Sequence, residues 1–101
     1  MANPERGEVE LVVDGRPRVM RLTLGALAEL ESALEVGSLV ALAERFEGGD
    51  VSARELTALL AAGLRGAGED FTEAELAEAE IGGGAVGAMK AGLRLLEATF
   101  R

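Results

Sequence analysis

The chain has 101 residues and a net charge of −8, and it contains neither cysteine nor histidine. This composition excludes disulfide bonds, thiol catalysis and histidine-based acid–base chemistry, and with them ordinary zinc or haem ligation. The excess of 18 acidic over 10 basic residues would repel a phosphate backbone, so we expect no nucleic-acid partner.

No apolar run approaches the roughly 20 residues that a membrane helix needs. The first residues also lack the basic and apolar blocks of a signal peptide. We therefore expect no membrane partner and a cytoplasmic location.

Alternating apolar residues near the start of the chain predict a β-hairpin over residues 8–23. A turn at residues 14–17 carries glycine and proline, which suit a reversal of the chain. In the second strand, Met20 and Leu22 are predicted to face inward. Residues 1–7 are predicted to form a flexible N-terminus.

Apolar residues at helical spacing predict about five helices after the hairpin. Ser52 with Glu55 and Thr72 with Glu75 match the capping box, in which each side chain satisfies a backbone N–H of the other residue. Gly-rich breaks separate the helical segments. The sequence thus predicts one α+β domain over residues 8–101, with helices at about 24–35, 38–46, 53–65, 73–80 and 85–100.

A cluster of carboxylates lies between residues 69 and 80. Such a cluster could bind Ca²⁺ or Mg²⁺, or it could supply a carboxylate pair to a small metal-dependent hydrolase. The spacing lacks the calcium-loop pattern, however, and acidic residues at a helix start are favourable as a solvated face. We favour the solvated face and predict no catalytic residue, metal or cofactor. The cluster comprises Glu69, Asp70, Glu73, Glu75, Glu78 and Glu80.

The glycine run from Gly82 to Gly84 precedes the last predicted helix. No strand precedes it, and no Lys-Ser or Lys-Thr pair follows, so it does not match a phosphate-binding loop. We predict a flexible joint that would let the last helix swing.

The last predicted helix carries an apolar stripe with spacings of three and four residues, which is typical of a seam against one partner helix. Ala88 and Gly92 lie on an adjoining face, where small residues would let another backbone come close. The stripe could close the domain's own core, or it could bind another protein or a second copy of the chain. The predicted contact residues are Val86, Met89, Leu93, Leu96 and Phe100.

The order of segments adds a family resemblance. The hairpin reads VELVVDGRPRVMRLTL, and it is followed by the motifs GALAELE, VGSL, FEGG and LLAAGLR. This order of apolar and turn positions over residues 5–66 resembles the small tail-assembly protein family of gene transfer agents and related bacterial phages.

The resemblance implies a non-enzymatic tail assembly chaperone that binds tape-measure protein, tail tube protein or both while the tail assembles. Such a chaperone would be absent from the mature particle. The alternative is a structural, tail-tube-associated component that stays in the particle. The resemblance carries over no functional residues, so the apolar stripe remains the predicted contact site.

Overall fold

The structure, a computed structural model, describes residues 2–34 and 37–100. The first residue of the predicted N-terminus, the end of the first predicted helix and the last residue of the predicted domain lie outside these ranges. Across them, the chain forms a two-stranded antiparallel hairpin followed by five α-helices, so the predicted α+β class is confirmed. After a 3-10 turn at Pro4–Arg6, the elements are β1 (Val9–Val13), β2 (Arg16–Met20), α1 (Leu24–Leu34), α2 (Leu39–Glu47), α3 (Ala53–Gly66), α4 (Glu73–Glu78) and α5 (Gly84–Thr99).

The hairpin turn is shorter than predicted. Asp14 and Gly15 have φ angles of 51° and 79°, and Val13 pairs with Arg16. Positive φ at both central residues is typical of a two-residue type I′ turn, whose twist matches that of the flanking strands. Strand β2 therefore begins inside the region 14–17 that we predicted to be the turn.

Helix α3 lies at the centre of the core. Every residue from Ala58 to Leu64 is buried, and the helix contacts β2, α1, α4 and α5. A Cβ atom at Gly63 would lie 2.7 Å from Leu95 of α5 and 3.1 Å from Met20 of β2. Glycine at this position therefore lets the hairpin, α3 and α5 pack closely together.

Both predicted capping boxes are present. The Ser52 hydroxyl accepts the Glu55 N–H at 3.0 Å, and the Glu55 carboxylate accepts the Ser52 N–H at 2.9 Å. Thr72 and Glu75 form the same pair of bonds, at 3.1 and 2.9 Å. These bonds determine where α3 and α4 begin.

The N-terminal segment forms a capped turn where the sequence predicted a flexible lead-in. The Asn3 side chain accepts the Glu5 N–H, and the Asn3 carbonyl accepts the Glu8 N–H, both at 3.0 Å. The 3-10 turn also contacts α5. These contacts fasten the segment to the start of β1.

The glycine run is a packed turn, so the predicted swinging joint is wrong for this fold. Gly82 donates its N–H to the Val12 carbonyl at 2.9 Å, and a Cβ at Gly82 would come within 2.9 Å of the Val12 side chain. Gly83 and Gly84 have φ angles of 80° and 64°, which side chains other than glycine rarely adopt. The run is held against β1, and α5 follows from it in a fixed direction.

Candidate functional site

The predicted stripe of α5 is divided between the core and the surface. Leu96 is 1% exposed and belongs to the core, so it offers little surface to a partner. Met89 and Leu93 are partly buried and pack against the core. Val86 and Phe100 are exposed to solvent and could contact a partner, with exposed fractions of 64% and 46%.

The face of α5 that closes the core is displaced from the predicted stripe. It consists mainly of small residues, which allow α2 and α3 to approach closely. The close approach predicted at Gly92 occurs inside the domain, against side chains of both these helices. The buried residues of α5 are Ala88, Ala91, Gly92, Leu95 and Leu96.

A shallow depression of about 270 Å³ between α2 and α5 contains part of the remaining stripe. Leu93, Leu96 and Phe100 line it from α5, and Ala43 lines it from α2. Glu47 and Glu97 also line the depression and are exposed. We call these six residues the α2–α5 surface, which combines apolar side chains with nearby carboxylates.

Val40 lies one turn before Ala43 on the same side of α2, and 61% of it is exposed. It extends the apolar part of the α2–α5 surface along that helix. Sequence reasoning missed this residue because it stands outside the apolar series of α2, which includes the buried Leu42 and Phe46. A single exposed valine gives no periodic signal.

An ion pair holds α2 against the start of α3. The Arg45 guanidinium donates to the Glu55 carboxylate at 2.7 Å and to the Asp50 carbonyl at 3.3 Å. The backbone N–H of Ser52 and the Arg45 side chain hold the pKa of Glu55 below its usual value, because both favour the charged carboxylate. This pairing positions the α2 side of the depression.

The acidic segment makes structural contacts. Glu69 accepts a hydrogen bond from Arg18 at 2.8 Å, and the Arg18 guanidinium lies 5.3 Å from the centre of the Phe71 ring. Glu75 belongs to the α4 capping box. Within residues 2–34 and 37–100, no three acidic side chains are placed to hold a metal ion.

No helix in the same ranges has the length and apolar character to cross a bilayer.

A profile of the family described as phage tail tube protein, GTA-gp10, matches residues 6–101. The chain belongs to this family. The match supports the phage-tail and gene-transfer-agent part of the resemblance, and the family description names a tail tube protein instead of an assembly chaperone. Searches among curated proteins and among solved structures found no similar protein.

As a member of the tail tube family, the protein has a role in a phage-like tail. Its partners are accordingly tail proteins or further copies of the same chain. Membership in a structural family agrees with the predicted non-enzymatic role. The tape-measure protein as a partner stays a prediction.

Proposed function

We propose that this protein is a non-enzymatic structural component of a phage-like tail and remains in the finished particle. The observation that carries the proposal is the family match over residues 6–101, whose description is that of a tail tube protein. Of the two roles that the sequence left open, this match favours the structural one.

The α2–α5 surface supplies a contact of suitable chemistry. Phe100 and Leu93 provide apolar side chains that line the depression, and exposed Glu47 and Glu97 line it with them. An apolar centre with a polar rim is the usual anatomy of a protein interface. The carboxylates favour a neighbour with basic side chains around an apolar contact, because such a pairing is electrostatically complementary.

Particle composition tests retention directly. We expect mass spectrometry of purified particles to find this chain among the tail proteins and in a fixed ratio to them. A chain that is present in the producing cells but missing from finished particles would contradict the structural role.

A pair of surface variants tests the contact itself. Val40→Ser combined with Phe100→Ser should reduce incorporation into particles by about tenfold, because the variant removes two exposed apolar side chains from one surface. Leu24→Ser is the matched control, since Leu24 is 86% exposed at the start of α1 and does not line the depression. Equal incorporation of the two variants, with unchanged circular dichroism, would exclude the α2–α5 surface as the contact.

A second candidate is the assembly chaperone, which would act in the cytoplasm of the host cell on tape-measure or tail tube protein. The limited apolar exposure favours it, because permanent interfaces are usually large and apolar. Co-purification with tape-measure protein from assembling cells, together with absence from particles, would replace the first proposal by this one. Among the residues that the structure describes, the large hydrophobic side chains with high exposure are Leu24, Val40, Val86 and Phe100.

A further inference from the structure

The outer edge of β1 is the part of the hairpin that faces away from β2. The Val12 carbonyl points to this edge, because it accepts the Gly82 N–H at 2.9 Å. The backbone groups of successive strand residues point alternately to the two edges. Those of Glu8, Glu10 and Asp14 therefore face the same way as those of Val12.

The chain itself closes both ends of this edge and leaves the middle open. Glu8 donates its N–H to the Asn3 carbonyl at 3.0 Å, and Asp14 donates its N–H to the Glu80 carbonyl at 2.8 Å. Between them, no hydrogen bond from beyond the hairpin reaches the N–H or the carbonyl of Glu10 within residues 2–34 and 37–100. The open section thus presents one donor and one acceptor that a further strand could pair with.

A groove of about 610 Å³ runs along this open section, between β1 and one side of α5. Its α5 wall is built partly from Gly87, Ala91 and Ala98, whose small side chains leave room beside the strand. Lys90, Arg94 and Glu97 also line the groove and are exposed, and neither of the two cations forms an ion pair with any residue that the structure describes. Residues 8–12 line the groove from the strand side, and at the rise of an extended chain they span about 13 Å.

We propose that this groove binds an extended segment of another protein, which joins the hairpin as a third strand beside β1. Addition of a strand to an exposed sheet edge is a common mode of peptide recognition. In an antiparallel arrangement, the residue opposite Glu10 exchanges both backbone hydrogen bonds with it. Asn3 and Gly82 already bond to Glu8 and Val12 along this edge, so the segment adds two new backbone bonds, both to Glu10.

Charge defines the chemistry of the bound segment. Val9 and Leu11 are buried, so the Glu10 side chain lies on the outer face of the hairpin. A Lys or Arg opposite Glu10 lies on that same face and forms a favourable cross-strand pair. The two adjacent residues of the segment point toward α5, where small apolar side chains fit the wall and a carboxylate can reach Lys90 or Arg94.

A second copy of this chain suits the groove less well. A twofold pair of β1 edges centred on Glu10 would place two Glu10 carboxylates directly opposite each other, and like charges in that position destabilise a sheet. The net charge of −8 on each copy adds to this repulsion. The bound segment therefore belongs to a different protein. This inference does not depend on whether the α2–α5 surface forms a contact in a tail.

The test uses the full-length ¹⁵N-labelled protein and a capped five-residue peptide, acetyl-Thr-Val-Lys-Asp-Thr-amide. We expect saturable shifts of the Glu10 and Ala91 amide resonances, with a dissociation constant of about 1 mM. Methylation of the peptide's Lys amide nitrogen removes the donor to the Glu10 carbonyl and should weaken binding about fivefold or more. A peptide with Glu in place of the central Lys should bind about threefold more weakly to the parent protein. The Glu10→Lys variant should instead bind the Glu peptide more tightly than the Lys peptide.

Three outcomes overturn the proposal. The first is a Glu10 amide that does not move at about 5 mM peptide, where a millimolar site would be mostly filled. The second is equal binding of the methylated and unmethylated peptides. The third is dimerisation without peptide that protects the Glu10 amide from hydrogen exchange, because this result would make the second copy the occupant. Glu10 is exposed, so the charge-reversed variant should fold like the parent.

Discussion

Gly66 allows the end of α3 to lie directly against the backbone at Arg21, whose carbonyl occupies the space that a Cβ would need. We expect Gly66→Ala to lower the free energy of unfolding by about 2 kcal/mol or more, because backbone cannot move aside as a flexible side chain can. Gly25 in α1 is the control, since its Cβ would meet only the Thr23 hydroxyl at 3.8 Å. Gly25→Ala should raise stability by about 0.5–1 kcal/mol through helix propensity. Urea unfolding of both variants measures the contrast, and losses of equal size would contradict it.

Glu55 makes stability depend on pH through its lowered pKa. A carboxyl whose pKa is lower in the folded state stabilises the fold above its unfolded pKa of about 4.3, and this contribution disappears as the pH falls through the folded pKa. We expect Glu55→Gln, which retains a capping side chain, to lose up to about 1 kcal/mol at pH 7. Melting curves between pH 7 and about pH 3 should show the variant and the parent converging as the charge is lost. Glu75→Gln is the control, because Glu75 caps α4 in the same way and has no ion pair in the described ranges.

At the scale of the element, α5 contains neighbouring leucines with different surroundings. Leu95 is fully buried, whereas Leu93 is partly exposed and lines the α2–α5 surface. We expect Leu95→Ala to lower the free energy of unfolding by about 2–5 kcal/mol, and Leu93→Ala to lower it by about 1 kcal/mol. Urea titration of the two variants gives the comparison. A loss at Leu93 as large as that at Leu95 would place Leu93 in the core and remove it from the contact surface.

The elements themselves could be predicted from the sequence, because alternation and capping residues are local signals. Ser52 and Thr72, for example, indicate the starts of α3 and α4 without reference to the rest of the fold. The orientation of α5 could not be predicted in this way. Its largest side chains form the most regular stripe, yet Ala88 and Gly92 face the core because they let other helices approach.

The glycine run from Gly82 to Gly84 shows a second limit of sequence reasoning. Three consecutive glycines are typical of a free joint and equally of a tight turn against another element. Contact with Val12, which is 70 residues away in the sequence from Gly82, decides between them. The candidate contact surface could be predicted only in part, because it too depends on contacts between residues that are far apart in the sequence. Leu93 and Phe100 were in the predicted stripe, but the α2 wall depends on how two helices pack.

For the whole molecule, the balance of 18 acidic and 10 basic residues is the dominant electrostatic feature. The described ranges contain two ion pairs, so most of the negative charge repels itself across the surface. We expect the melting temperature to rise by about 3–6 °C between low salt and 0.2 M NaCl, as screening reduces that repulsion.

Magnesium chloride at matched ionic strength tests the metal-dependent alternative in the same assay. No three carboxylates in residues 2–34 and 37–100 are placed as metal ligands, so the melting temperature should follow ionic strength alone. A further, saturable rise in the melting temperature with Mg²⁺ would indicate a bound ion and would support the hypothesis of a metal-dependent hydrolase.

The hydrogen bonds between Asp14 and Glu80 join residues that are 66 positions apart. A ribosome adding roughly 5–20 residues per second needs several seconds to make the intervening chain, so the hairpin cannot acquire its final neighbours until Glu80 and the helix after it have been made. A product that stops before the glycine run would lack the hydrogen bond from Gly82 to Val12 on the outer side of β1 and would leave the core without α5. Cells would therefore be expected to clear prematurely terminated copies by proteolysis before these could enter a growing tail.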